Sequence, residues 1–339
     1  MQRRRLERIV DLGYGPVRVS ASITSPFPRT EKLVSATRDL DRGRTSKSAV
    51  GRLYNEAERR VLDLEQRLDF RPLTGGYMRW QDLFRPMSES WPGFSVGSLT
   101  RWFDTNTFFK QPVISAAPAR RPGAVARWLP GSADDSLAYE VKAILPGPYT
   151  FAGLADNKTM YDLESLIGVI GGLLKAEVGE LRRKGYLNFQ FQEPLLVAKP
   201  PKGEIAESVV SAYKDVVSAL DGGTSAVWTF FGDAANAMST LSLLPVDVVG
   251  ADLSETDPDA FKSFPGGRSI GLGVIDPRTS LLEDPSDISS VVREVAGYCH
   301  PRRICLGPGA PLDLLPARIA SAKLYTLASA KHMLESDGL

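Results

Sequence analysis

From residue 141 to residue 334 the hydrophobic period of the chain keeps switching between two values. Short apolar or alternating runs of strand length cover residues 141–145, 187–192, 226–231, 246–253, 269–275 and 303–306. Between most of them, over 161–184, 205–220, 234–243, 288–298 and 314–334, apolar residues recur at every third or fourth place. The first pattern predicts strands and the second predicts amphipathic helices. The same rhythm opens the chain, with a strand over 17–24, a long helix over 45–68 (Val50, Leu53, Tyr54, Ala57, Val61, Leu64, Leu68) and a short strand over 70–73 before Thr74-Gly75-Gly76. Eight strands separated mostly by helices predict an α/β chain of the TIM-type (β/α)8 barrel class. The competing doubly wound sheet lacks support, because no Gly-x-Gly-x-x-Gly follows the first strand.

Residues 80–130 break the rhythm, being rich in Pro, Gly, Trp and Phe. They read as an inserted hairpin after strand two, with 108–115 and 124–129 as its arms. One barrel domain over 1–339 with this insertion accommodates the chain's 339 residues. The 41 basic residues nearly cancel the 40 acidic ones, so the charge makes no case for nucleic acid or an anionic membrane as partner. Arg3-Arg4-Arg5 amounts to a local patch. No apolar run reaches the roughly 18 residues of a membrane span, and no signal-peptide segment opens the chain. Two cysteines, Cys299 and Cys305, argue against a disulfide framework and for a reducing compartment. A cytoplasmic protein is the expectation.

In a barrel the working groups sit at the carboxyl ends of the strands. Those loops carry Arg29, Glu193, Asp233, Asp252, Asp276 and Arg278. The most suggestive strand is 189–194, Phe-Gln-Phe-Gln-Glu-Pro. Asn188, Gln190 and Gln192 share one face, Leu187, Phe189 and Phe191 the other, and Glu193 stands at the strand's end before Pro194. A strand with one wet face is the plain alternative to a site. Asp104 and Asn106 in Trp102-Phe103-Asp104-Thr105-Asn106 suit ligand contact, but Asp and Asn also make local turn bonds. Asp276 and Arg278 suit a carboxylate ligand or a salt bridge with one another. Arg29, with Lys32 one helical step on, suits an anionic tail. Glu193 is the strongest single candidate, its strand position directing it at the cavity.

The loop sequences resemble those of the cobalamin-independent methionine synthase family, whose barrels use zinc to move a methyl group from a folate to homocysteine. The resemblance spans nearly the whole chain. It rests on Ser25-Pro26-Phe27-Pro28-Arg29, the Trp102 to Asn106 element, Leu145-Pro146-Gly147-Pro148-Tyr149-Thr150, Gln190-Phe191-Gln192-Glu193-Pro194, Thr229-Phe230-Phe231-Gly232-Asp233, Leu244-Pro245-Val246-Asp247 and Leu272-Gly273-Val274-Ile275-Asp276, in that order. Full-length members have two barrels. The motifs here look like the amino-terminal barrel, which lacks the zinc site and serves as scaffold and as part of the folate-tail contact. In the carboxyl-terminal barrel a His-x-Cys pair, a glutamate and a second cysteine hold zinc. The resemblance places Trp228-Thr229-Phe230 at the His-x-Cys pair, Asp252 closest to the glutamate and Ala310 near the last cysteine. Trp and Phe donate no electron pair to zinc, so zinc is not expected, and no other cofactor is implied. Cys299 and His300 precede the eighth strand, Cys305 lies within it, and a structural role outweighs a metal role for this trio. His332 reads as a helix-end cap. The family's folate-tail run is Arg-Glu-Leu-Lys-like, whereas this chain has Thr30-Glu31-Lys32-Leu33.

Two functions follow from the resemblance. One is a zinc-less, non-catalytic, amino-terminal-type partner of a separate zinc-bearing homocysteine methyltransferase in methionine biosynthesis. The other is a stand-alone homocysteine S-methyltransferase of the 5-methyltetrahydropteroyltriglutamate type, taking its methyl group from a folate or a corrinoid protein. That enzyme needs a way to activate the thiol, for which Asp233, Asp252 and Glu193 are the metal-binding choices, although oxygen ligands favour Mg or Mn. A barrel that binds a small molecule for regulation is the third, plainer reading.

Overall fold

The computed structural model describes residues 17–130 and 140–339; Arg3 to Arg5 lie outside them. Ten strands occur among the described residues: β1 (Arg18–Ala21), β2 (Phe94–Arg101), β3 (Phe108–Ile114), β4 (Lys142–Pro146), β5 (Asp156–Asn157), β6 (Asn188–Gln192), β7 (Thr224–Trp228), β8 (Val248–Asp252), β9 (Ser269–Ile275) and β10 (Arg303–Pro308). The helices are α1 (Glu31–Asp41), α2 (Lys47–Arg67), α3 (Arg85–Ser90), α4 (Pro148–Leu154), α5 (Leu163–Arg183), α6 (Pro194–Ala198), α7 (Gly203–Val217), α8 (Met238–Leu243), α9 (Pro285–Cys299) and α10 (Ala317–Ser336).

Seven strands form one all-parallel sheet in the order β1-β10-β9-β8-β7-β6-β4. The expected second strand, 70–73, is not a named strand. It lies instead between the two edges of the sheet, joined to one by a single backbone bond and to the other by two. Arg71 N donates to Ala21 O at 2.9 Å on the β1 side. On the β4 side, Leu73 N donates to Glu140 O at 3.0 Å and Lys142 N donates to Leu73 O at 2.8 Å. Tyr77 reinforces that edge, since its hydroxyl donates to Lys142 O at 2.9 Å and accepts from Ile144 N. Parallel strands covered by helices become apolar on both faces, and β4 and β8 are buried at every position.

Helices α1, α2, α5 and α9 begin where a side chain accepts from their free amides. Asp162 accepts from Ser165 N at 2.8 Å to start α5, and Ser46 accepts from Ala49 N at 3.2 Å to start α2. Among the described residues no helix is long and apolar enough to cross a membrane.

The hairpin differs from expectation. Phe108–Ile114 is a strand, but its antiparallel partner is Phe94–Arg101, and β3 continues in parallel with β5. The expected second arm, 124–129, holds a 3-10 turn over Ala126–Trp128. Pro122 and Gly123, with φ of 72° at the glycine, turn the chain there and deny it an extended run.

Candidate functional site

Loops at the carboxyl ends of the parallel strands enclose a cavity of about 380 Å³. Pro26 after β1, Gln192 at the end of β6, Phe230 and Phe231 after β7 and Asp313 after β10 form its floor and walls. Tyr77 and Trp80, from the turn after 70–73, and Trp102, Asn106 and Phe108, from the hairpin bend, close over it. The cavity is thus framed by strand ends and aromatic rings, and no lysine or arginine among the described residues lines it.

Below the cavity runs a chain of hydrogen bonds. Lys142 Nζ donates to Ser22 Oγ at 3.0 Å and to Gln190 Oε1 at 2.6 Å. Gln190 Nε2 and Gln192 Nε2 both donate to Thr24 O, at 2.6 and 2.5 Å. The ammonium can only donate and the carbonyl can only accept, so both amide orientations are fixed by chemistry. Gln192 Oε1 is left over: it has no hydrogen-bond partner although the residue is 2% exposed. An unmatched buried acceptor costs free energy until a donor reaches it. Burial pushes the Lys142 ammonium down to about 8.

Backbone strain collects around the same cavity. Tyr77 (φ 55°), Phe103 (φ 43°) and Phe231 (φ 65°) are bulky residues in the left-handed region, which disfavours side chains of this size. Tyr77 and Phe231 line the cavity, and the Phe103 ring meets that of Phe231 at 6.3 Å between centroids. Trp102 lies 6.3 Å from the Phe231 ring and 4.4 Å from Phe109. Asp313 lines the same cavity and is exposed to solvent, with Arg29 close enough for its charge to act on the carboxylate.

The sequence-predicted residues divide among four places. Gln192 and Asn106 line the cavity, and Gln190 lies in the polar chain beneath it. Arg29 stands close enough for its charge to act on Asp313 and Tyr54, while Lys32 is exposed on α1. Asp104 is exposed, and the side-chain bonds of its turn come from Thr105, which donates to Trp102 O at 2.7 Å and accepts from Thr107 N at 3.2 Å. Asp233 accepts from Ala235 N at 2.9 Å and opens a short 3-10 turn.

Asp252, Asp276 and Arg278 come together, joined by Glu255. The guanidinium spreads over three carboxylates, at 2.6 Å from Asp252, 3.2 Å from Glu255 and 3.0 Å from Asp276. It also lies 5.8 Å from the centroid of Phe231, linking this cluster to the cavity wall.

Glu193 does not face the cavity. Because Gln190 and Gln192 point inward, the two-residue period turns Glu193 outward, into the helix layer. There its carboxylate accepts from Tyr149 N (3.1 Å), Thr150 N (2.8 Å), Thr150 Oγ1 (2.5 Å) and Tyr213 OH (3.1 Å). Gly147 is required beside it, since a Cβ there would strike the carboxylate. Burial pushes the Glu193 carboxyl up to about 7, and the bonds from Thr150, Tyr149 and Tyr213 offset part of that push.

The positions that the resemblance assigns to zinc ligands do converge. Trp228, Phe230 and Ala310 pack into one apolar cluster, apart from the main core. Asp252 lies beside them, its carboxylate in the space a Cβ on Gly309 would need. This donor set does not fit zinc: an indole, a phenyl ring and a methyl group offer no donor pair, and Asp252 is already paired with Arg278. Elsewhere, Cys299 Sγ donates to Val295 O at 3.4 Å, its thiol pushed up to about 11 by burial. Cys305 accepts from Ser20 Oγ at 3.5 Å, and His300 ends α9 with φ of 42°. Among the described residues no three His, Cys, Asp or Glu side chains are placed to hold a metal ion.

Comparisons with known proteins agree with this architecture. Residues 92–300 match the family model described as cobalamin-independent synthase, N-terminal domain. The chain is 23% identical over 317 residues to a methionine synthase of Sulfurisphaera tokodaii, covering 93% of this chain and 92% of that one. It is 30% identical over 220 residues to a 5-methyltetrahydropteroyltriglutamate–homocysteine methyltransferase of Mesembryanthemum crystallinum, covering 62% of this chain but 28% of that one. The solved structure of a B12-independent methionine synthase from Shewanella sp. W3-18-1 in complex with selenomethionine shares the fold. Its TM-score is 0.79 at 14% identity, over 94% of this chain and 98% of that one.

Proposed function

The chain belongs to the cobalamin-independent synthase family, residues 92–300 matching that family's N-terminal-domain model, and from that premise we propose that it is the non-catalytic, amino-terminal-type partner of a separate zinc-bearing homocysteine methyltransferase in methionine biosynthesis. The observation that carries this reading is the apolar cluster of Trp228, Phe230 and Ala310. Thiol activation in this chemistry needs a Lewis acid that lowers the thiol's pKa; three of the four positions that would hold one carry side chains without a donor pair, and the fourth, Asp252, is paired with Arg278. On the same reading the protein is a closed (β/α)8 barrel, with 70–73 as the eighth stave. The bonds of Arg71 to Ala21 and of Leu73 to Glu140 and Lys142 support that closure.

The test mixes the purified protein with the zinc-bearing barrel of the same source at micromolar concentration. Methyl transfer to homocysteine should rise, or a stable complex should form by size-exclusion chromatography. Absence of both effects would sink the proposal, and stoichiometric zinc in the protein purified alone would overturn it.

A stand-alone methyltransferase drawing on a folate or a corrinoid protein is the second reading. It is favoured by the match along nearly the whole length of the Sulfurisphaera tokodaii methionine synthase. Methyl transfer by this chain alone, with either donor, would select it.

A further inference from the structure

We propose that the cavity between the strand ends and the hairpin bend binds a small organic cation bearing N–H donors, held by aromatic faces, by Gln192 Oε1 and by the Asp313 carboxylate. This goes beyond the partner role and does not depend on it.

The lining selects the charge of the ligand. Aromatic faces carry negative potential and attract cations to within about 6 Å of the ring centroid. Tyr77, Trp80, Trp102, Phe108, Phe230 and Phe231 surround the space. Phe231 already takes one cation this way, the Arg278 guanidinium at 5.8 Å. No lysine or arginine is in the lining, so the cavity offers an anion no cation in direct contact.

Two carboxylates reach the cavity, and they are not equivalent. Asp82 is committed to the protein, accepting from Phe84 N at 3.1 Å and Lys110 N at 3.3 Å and lying 3.4 Å from Arg85. Asp313 also lines the cavity, is exposed, and makes no ion pair among the described residues, so its carboxylate is available to a cationic ligand.

Gln192 selects the N–H. Its amide nitrogen is held on Thr24 O, which also receives Gln190, itself oriented by Lys142. The ammonium at the bottom of this chain thus fixes which end of Gln192 remains unbonded. That end is an acceptor, buried and without a partner. A ligand N–H supplies the missing donor; a fully methylated ammonium does not. The left-handed Tyr77 and Phe231, held against their backbone preference, are the kind of strain that accumulates where rings clamp a ligand.

The probe is benzylammonium, titrated calorimetrically into the full chain at neutral pH, with Trp80 and Trp102 fluorescence as a second readout. Benzyl alcohol keeps the ring without the charge, and benzyltrimethylammonium keeps the charge without the N–H. Benzylammonium should bind saturably at millimolar concentration or below, and both analogues about tenfold more weakly. Asp313→Asn should weaken benzylammonium about tenfold. Gln192→Met should weaken benzylammonium by a similar factor and leave benzyltrimethylammonium unchanged, which separates loss of the acceptor from collapse of the cavity. The proposal is overturned by absence of saturable benzylammonium binding, by equal binding of benzyl alcohol, or by a Gln192→Met variant that weakens both cations alike.

Discussion

The indole of Trp228 occupies the space that a side chain at Gly250 would need: a Cβ on Gly250 would strike the six-membered ring, and one on Gly271 would strike it from the next strand. One large residue on β7 is therefore accommodated by glycines on β8 and β9. Overpacking a filled interior costs about 1–3 kcal/mol. Gly250→Ala should lose about that much stability in urea denaturation, and adding Trp228→Phe should recover about half by vacating the contested space. Additive losses in the double variant would show that the two residues do not compete.

Glu193 gives the stability a pH dependence of definite sign. Its carboxyl lies at about 7 in the folded protein against an ordinary 4.5. Between those values the folded state holds a proton that the unfolded state has released, so its contribution is fully present below pH 4.5 and is lost as pH rises towards 7. Over that window the loss amounts to roughly 3 kcal/mol. Glu193→Gln should flatten the wild-type slope of stability between pH 4.5 and 7. A variant that keeps the wild-type slope would exclude Glu193 as its source.

How much of this was legible in the sequence depended on periodicity. Ser269–Ile275 is a strand with the expected bounds, because a run of apolar residues between turn signals admits little else. α1 was missed, since Leu33 is its only buried residue and a helix with so narrow a contact shows no apolar stripe. Phe94–Arg101 was missed for the same reason, being half exposed along its length. In the site, strand alternation placed Gln190 and Gln192 on the inner face correctly. Followed one residue further, the same alternation would have turned Glu193 outward. Tyr77 and Asp313 lie on turns without a period. Thr74-Gly75-Gly76 and Gly307-Pro308-Gly309 marked those turns as loops at strand ends, but their side chains' convergence is a product of tertiary closure.

Lys142 predicts the opposite slope in an alkaline window. Burial lowers its ammonium to about 8 from 10.5, and its partners Ser22 and Gln190 are neutral. Between pH 8 and 10.5 the unfolded chain binds a proton that the folded chain lacks, so stability rises with pH by roughly 3 kcal/mol over that range. Lys142→Met should abolish this rise while preserving most of the buried volume. The check is a series of denaturation curves from pH 7.5 to 10.5; an unchanged rise in the variant would contradict the assignment.

The Asp252–Arg278 pair predicts coupling of a different kind. Asp252's side chain is wholly buried, and Arg278 lies 2.6 Å from it with 27% of its own side chain exposed. Removing Arg278 leaves a buried carboxylate held by Ser254, whose amide donates to it at 3.0 Å. Breaking a buried pair typically costs about 3–5 kcal/mol, and the exposure of Arg278 lowers the expectation for Arg278→Met to about 2–4 kcal/mol. Arg278→Lys should fall between wild type and Arg278→Met, because an ammonium lacks the fork that spans Asp252, Glu255 and Asp276. Asp252→Asn combined with Arg278→Met should regain at least half of the loss, since no charge is then left buried. Denaturation of these variants at pH 7 decides the matter: if the two substitutions cost the same together as the sum of each alone, the buried charge is not what Arg278 compensates.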